Sequence, residues 1–515
     1  MHITRRKTLQ LAGSAVISLA ATGGRSALAQ TPSFGSETVT QKARDLAKQT
    51  YVGPDRSLPE ALAKLSYDDY RHISFRPEHT FLRDSGTNFG LQLFHRGGIF
   101  QKQVKMNLVS NGTVTPMAYA PELFNYGTDG PPAGLTPTSG FAGLRLLYPL
   151  NQSDKMDELA SFLGASYFRF LGRGQHYGLS ARALSIGSGL PHEEFPDFVE
   201  FWVIVPHPGD GGIIVHALLD SPSVTGAYRF TFLPASGDQV DIEARLFARR
   251  DVVNPGFAPL TSMFLYGENT TAKPQDFRPE VHDSDGLSIH SGTDEWIWRP
   301  LRNPQRSANS AFEDTGTKGF GLLQRDRRFG NYQDLEAHYD LRPSYWVEMK
   351  TGLGKGHISL TELHSNTETE DNIVACWTPE GQLEAGSETA LSYTMRALST
   401  PGHDGGLVIA TFETRAAAAP APGKDGFKRF IIDFSGGRLN SPDLDIAKVE
   451  LVASASGGTI SSRTTVRNPA ENGIRATFDM ELPPHQDVDL RAFLKTGDEA
   501  LTETWFYRHD AEEPA

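Results

Sequence analysis

The stretch Val199–Leu233, VEFWVIVPHPGDGGIIVHALLDSPSVTGAYRFTFL, sets the fold class. Three apolar runs, Val199–Val205, Gly212–Leu218 and Tyr228–Leu233, are rich in β-branched and aromatic residues. Each is about the length of a strand, and Pro, Gly, Asp and Ser separate them. The pattern continues outward through His72–Arg76, Gly90–His95, Val104–Val109 and Gly143–Tyr148. Many short strands at close spacing predict an all-β fold of sandwich or barrel type. Helices are expected at Thr40–Thr50 and Pro59–Ser66, with Asp154–Leu163 as an internal one, because helix formers recur there at helical spacing.

The chain has 515 residues, which predicts two domains, one of them large. The boundary is expected near Trp377–Gln382. Beyond it, Leu391–Ala397, Gly406–Thr411, Phe430–Phe434, Ala447–Ala453, Gly473–Met480, Val488–Leu494 and Thr504–Tyr507 read as strands. About seven strands over roughly 130 residues are the count and size of an immunoglobulin-like sandwich. The expected division is residues 35–378 and 385–510, after an N-terminal segment 1–29. In that segment Arg5-Arg6 precede the weakly apolar run Leu9–Ala21 and the small-x-small site Ala27-Leu28-Ala29. This is the pattern of a twin-arginine export signal, cleaved before Gln30, and it predicts a periplasmic protein with no membrane span.

The formal net charge of −13 argues against a nucleic-acid partner. One cysteine, Cys376, lies in an apolar run, so no intrachain disulfide forms and a buried thiol is expected. No nucleophile elbow, phosphate loop, HExxH or zinc-type Cys/His spacing occurs, and no metal or cofactor is expected. What remains is carboxylate chemistry. Arg278–Leu301 packs Asp283, Asp285, His282, Trp296 and Trp298 together. Indoles stack on the apolar faces of sugars, and carboxylates bond to hydroxyls or move protons. Asp-Gly equally favours a plain turn, and Asp-x-Asp-Gly opens a calcium loop whose later ligands do not follow here. A second acidic site, Asn366–Asn372, precedes the run ending in Trp377, and it reads as a cleft mouth or as a solvated loop. Between them lie Arg325–Phe329 and His338–Glu348, which suit a polar groove or a surface ion-pair network. Two separated acids can run glycoside hydrolysis, one protonating the leaving oxygen and the other activating water.

Seven stretches together resemble one family. They are RPEVHDSDGLSIHSG at 278–292, EWIWRPL at 295–301, GFGLLQRDR at 319–327, YDLRPSYWVE at 339–348 and ETEDNIVACWTP at 368–379, with Tyr67–Arg71 and Gly174–Arg182 upstream. They resemble the periplasmic glucan biosynthesis family OpgG/OpgD (MdoG/MdoD), over about residues 35 to 510. The twin-arginine signal looks like the OpgD branch. The resemblance implies a galactose-mutarotase-like sandwich followed by the immunoglobulin-like domain. It implies a β-1,2-glucan substrate, the backbone of osmoregulated periplasmic glucans, and a homodimer. OpgD-like members are similar to inverting endo-β-1,2-glucanases. On that similarity Asp371 matches the general acid and Asp283 the base, acting through a water chain. Tyr339 matches a substrate-contacting tyrosine. Arg342, Asp285, His282, Trp296 and Trp298 join it as expected substrate-binding residues. The loop at 416–437 sits where a loop that reaches the partner subunit belongs. The alternative is a non-hydrolytic glucan-binding protein that presents the backbone for branching or substitution.

Overall fold

The strands of Val199–Leu233 form as the sequence indicates. Asp197–Ile204, Ile213–Asp220 and Val224–Leu233 pair antiparallel in succession. The turn between the last two is closed by Ser221, whose hydroxyl donates to the Val224 carbonyl at 2.9 Å. In this computed structural model residues 33–511 are described, apart from 128–129, 133, 237, 272, 352–353, 400–401 and 417–426. The segment 1–29, read as an export signal, and residues 417–426 of the loop at 416–437 therefore lie outside the described residues. The latter part of that loop lies in strand Phe427–Ser435, which is paired on both edges.

Among the described residues the sheets are mostly antiparallel. The largest has fifteen strands and runs from Glu450–Ala455 at one end to Thr113–Pro116 at the other. A ten-stranded sheet packs against it, and a four-stranded sheet covers part of the C-terminal region. Two main cores result. The first joins Leu144, Phe162, Leu260 and Trp377 of the ten-stranded sheet to Phe201, Phe230, Ile242 and Tyr393 of the large one. The second joins Phe430, Ile432 and Phe478 of the four-stranded sheet to Trp298, Trp346, Leu490 and Trp505 of the large one. Helix Ser36–Ala47 lies over the outer face of Ile213–Ala248, with Val39 and Ala43 buried against Leu218, Ala227 and Phe247. Cys376 is a buried free thiol.

Two elements differ from expectation. Asp157–Leu163 is a strand, not a helix, between Phe141–Tyr148 and Tyr167–Phe170. Its helix formers are outweighed by ladder pairing and by burial of Leu159, Ala160 and Phe162. The segment Leu391–Ala397 lies in the eleven-residue strand Glu388–Leu398, which pairs with Gln239–Ala248 and Ser344–Met349 inside the large sheet. Its alternating Leu391, Tyr393, Met395 and Ala397 all enter the first core, which explains why it does not start a separate sheet.

The C-terminal strands join the large sheet by a short parallel ladder, Ile297 opposite Thr504 and Trp298 opposite Trp505. Beside it Arg325 stacks its guanidinium 3.5 Å from the Trp298 ring centroid. The same guanidinium pairs with both oxygens of Glu503 and donates to the Val408 carbonyl at 3.0 Å. Arg325 is 7% exposed and Glu503 0%. Removing one member of such a buried pair leaves the other charge without compensation. Arg325→Met is expected to lose about 3–5 kcal/mol of unfolding free energy, and Arg325→Met with Glu503→Gln to recover part of it. Urea denaturation of the three proteins measures both values.

Candidate functional site

The site is built where two strand ends and one turn meet. Strand Phe264–Tyr266 pairs with Val281–His282. The Asp283 amide donates to the Met263 carbonyl at 2.8 Å. One residue on, the Phe264 amide donates to Asn372 Oδ1 at 2.8 Å, and Asn372 Nδ2 returns a bond to the Phe264 carbonyl at 2.9 Å. Adjacent residues, Met263 and Phe264, thus anchor Asp283 and the immediate neighbour of Asp371. The two motifs, far apart in sequence, are brought to one place.

The turn Tyr339–Leu341 supplies the third side. Its entry residue His338 has φ 46°, a conformation that a non-glycine residue holds only when its surroundings enforce it. Arg342 ends the turn. It forms an ion pair with Asp283, its guanidinium lies 4.1 Å from the Tyr339 ring centroid, and its stem lies against Gly178. A Cβ at 178 would come within 2.9 Å of that stem, so the close approach requires glycine there. The Tyr339 hydroxyl donates to Glu368 Oε2 at 2.7 Å. Glu368 is also held by Arg278, which pairs with Asp276 and Asp334 as well.

Asp371 sits on the same loop as Glu368. It lines an open cleft of about 520 Å³ with Tyr167, Arg169, Ser180 and Asp197. Its residue surface is open to solvent. Protein nonetheless surrounds the carboxyl closely enough that burial raises its pKa above the ordinary range, against the opposing pull of Arg169, Arg182 and Arg342. Arg342 therefore acts on both acids, by contact with Asp283 and through space on Asp371. A further open cavity of about 730 Å³ is lined by Tyr266, Arg278, Arg302, His364 and Glu368, at the other part of this loop.

Beneath Asp283 lies a buried charged cluster. His282 is fully buried, stacked on Phe264 with Tyr332 edge-on. Its Nε2 is 2.9 Å from Glu280 Oε2 and 3.4 Å from Asp285 Oδ1. These ligand atoms lie within 4.8 Å of one another, close enough for a metal cage. The 2.9 Å separation is that of a charge-assisted hydrogen bond, and a shared proton accounts for it. Burial lowers the His282 pKa, but the Asp285 and Glu280 carboxylates outweigh it and hold the ring at about 9. Glu268, close by, is raised to about 8 by burial and by the charges of Glu280 and Asp285.

The expected residues divide into two groups. Asp283, Asp285, His282, Tyr339 and Arg342 come together, with Asp371 anchored alongside. Asp285 is committed to structure. One carboxylate oxygen accepts the amides of Arg325 and Asp326, and the other faces His282. The tryptophans are elsewhere. Trp298 is 3% exposed, in the second core under Arg325, and offers no face to a sugar. Trp296 pairs with His290 four residues along the strand from Gly286, roughly 13 Å away at strand rise. It stacks on His290, Trp346 and His403. The site also draws on Gln324, Glu268, Arg169 and Asn372, which sequence reading misses. Gln324 falls in the stretch GFGLLQRDR and Asn372 in Asn366–Asn372, but nothing in either marks these residues out, and Glu268 and Arg169 lie outside every stretch singled out above.

A family model described as "Periplasmic glucan biosynthesis protein, MdoG" matches residues 34–509. A glucans biosynthesis protein G of Shewanella frigidimarina is 44% identical over 483 residues, 93% of this chain and 85% of that protein. One from Dickeya dadantii is 41% identical over 491 residues, 93% and 94% of the two chains. A solved chondroitinase AC lyase aligns with 83% of this chain and 49% of its own, at 10% identity and a TM-score of 0.21, too low to carry an argument.

The buried cluster makes a pH prediction. A histidine whose folded pKa is raised stabilises the fold fully below its unfolded value, about 6.5, and loses that contribution as pH climbs through about 9. Glu268 acts in the same direction between its ordinary 4.5 and about 8, because its neutral form is the one the fold favours. Urea midpoints should fall from about pH 5 to about pH 9, by up to a few kcal/mol of unfolding free energy. Glu268→Gln should flatten the lower part of that decline.

Proposed function

The chain belongs to the MdoG family of periplasmic glucan biosynthesis proteins, and from that premise we propose that it is an inverting endo-β-1,2-glucanase acting on the backbone of osmoregulated periplasmic glucans. The observation that carries this reading is the contrast between two neighbouring carboxyls. Asp371 sits in a cleft that favours its protonated form, as a general acid requires. Asp283 forms an ion pair with Arg342, as suits a base that must be anionic. In the proposed reaction Asp371 gives its proton to the glycosidic oxygen as the C1–O bond breaks. Water attacks C1 from the opposite face, and its proton passes to Asp283 through a water chain. Arg342 contacts the sugar beside the base, and Tyr339, expected to share that contact but only 2% exposed, supports the Arg342 guanidinium from beneath. The product is a new reducing end of inverted configuration.

No helix among the described residues is long and apolar enough to cross a membrane. The twin-arginine motif supports export in the folded state, and it is also the feature that supports placing the chain on the OpgD branch. The Shewanella and Dickeya relatives carry the protein G name. That name favours a second reading, non-hydrolytic handling of the glucan during biosynthesis, with the same cleft serving as a binding groove. A homodimer, in which the loop at 416–437 reaches the partner's cleft, fits either reading.

One experiment separates the two. Purified protein is incubated with linear β-1,2-glucan, and reducing ends and glucan binding are measured together. The hydrolase reading expects release from wild type, with Asp371→Asn binding glucan and losing at least about 100-fold in rate. Binding by wild type with no release over hours would leave the handling reading in its place.

A further inference from the structure

Gln324 is 1% exposed, at the end of strand Gly319–Leu323, and its side chain reaches three partners. Its Nε2 donates to the His282 carbonyl at 2.9 Å and to the Tyr339 carbonyl at 3.1 Å. Its Oε1 lies 3.0 Å from His282 Nδ1. The two carbonyls decide the orientation of the amide, because only the NH₂ end can face them. The oxygen end then faces His282, and Nδ1 must be the donor in that bond. His282 and Tyr339 each stand next to a member of the Asp283–Arg342 pair or stack on it. His282 precedes Asp283 in the chain, and Tyr339 lies under the Arg342 guanidinium. Gln324 thus bonds both the strand end carrying Asp283 and the turn carrying Arg342.

Its neighbours complete the attachment. The amides of Arg325 and Asp326 hold Asp285. Arg327 donates to the carbonyls of Asp340 and Arg342 and to the Ser344 hydroxyl, bracing the far side of the turn. Both hydrogens of the buried Gln324 amide are taken by the two carbonyls, so contact with sugar is not what the geometry offers it.

We infer that Gln324 is a positioning residue, a clamp that sets the spacing between Asp283 and Arg342 and keeps His282 Nδ1 protonated. The inference rests on the hydrolase reading for its effect on rate, and on hydrogen bonding alone for its effect on His282. The groups that face this ring are Glu280, Asp285, Gln324, Phe264 and Tyr332, with Glu268 nearby. A carboxyl at 324 could accept from Nδ1 and, while protonated, donate to one of the two carbonyls. An ionised carboxyl could donate to neither.

The test compares wild type, Gln324→Met and Gln324→Glu, using linear β-1,2-glucan and ¹⁵N-histidine NMR on the full chain. The His282 signal is assigned by its loss in His282→Asn. Above about pH 9, where the ring is neutral, Nδ1 of wild-type His282 should keep its proton while Nε2 loses its own. For Gln324→Met, compared per folded molecule, kcat should fall about 100-fold while KM stays within about 3-fold, as displacement of a catalytic group by about 1 Å would produce. Gln324→Glu should retain intermediate activity at low pH and approach Gln324→Met as pH rises. Unchanged kcat in folded Gln324→Met, or a wild-type Nδ1 without its proton, overturns the clamp. Absence of reducing-end release from wild type removes the hydrolase reading instead. The Nδ1 signal then decides the clamp, and it does so equally where a variant fails to fold.

Discussion

The buried pair of Arg325 and Glu503 is the interaction on which the arrangement of the C-terminal region rests. With one cysteine there is no crosslink, and the parallel ladder between the C-terminal strands and the large sheet has only two residue pairs. Arg325 adds a charge pair, a stack on Trp298 and a bond to the Val408 carbonyl at that junction. Glu503 in turn accepts the Val408 amide at 2.7 Å. A second buried pair, Arg299 with Glu362, ties the ten-stranded sheet to the large one. Buried pairs of this kind add little net stability over well-packed apolar residues, but they are strongly directional. They specify which strands meet, and in what register, where apolar burial alone would tolerate alternatives.

The same short stretch serves the candidate site. In Gln324-Arg325-Asp326-Arg327 the Arg325 side chain faces the C-terminal core, while its amide and that of Asp326 hold Asp285. Gln324 and Arg327 bond the turn that carries Tyr339 and Arg342. A displacement of Arg325 would therefore be felt at Asp283 through one or two residues of rigid backbone. The junction and the chemistry are coupled by covalent proximity, with no need for a long pathway between them.

Much of the fold is legible in the sequence because strand pairing leaves a local mark. Alternation and turn residues locate Asp197–Ile204, Ile213–Asp220 and Val224–Leu233 to within a few residues. Asp157–Leu163 misleads because its composition favours helix and only its neighbours make it a strand. Leu391–Ala397 is recognisable as a strand but not by its sheet, since sequence order does not reveal which edge is free. At the site, carboxylates and arginines announce themselves by type. Trp298 does too, and misleadingly, because an indole suited to a sugar is equally suited to a core. Gln324 and Asn372 lie in stretches that stand out, but neither is distinguished there by its type. Their importance comes from three bonds apiece, several of them to groups distant in the chain, and such geometry has no one-dimensional trace.

Asp283 and Asp285 illustrate what three dimensions add. In sequence they differ by two positions and by nothing chemical. In the structure Asp285 has both oxygens engaged, by two backbone amides and by an imidazole. It can neither take up a proton from a reacting water nor turn toward one without breaking the contacts that hold 324–326. Asp283 is tied by its backbone to Met263, and its side-chain partner among the described residues is the Arg342 guanidinium, which contacts one of its two oxygens. Of the two, Asp283 has capacity left over for a further hydrogen bond. The difference follows from that count: Asp285 holds the strand end in place, and Asp283 keeps an acceptor oxygen unused among the described residues.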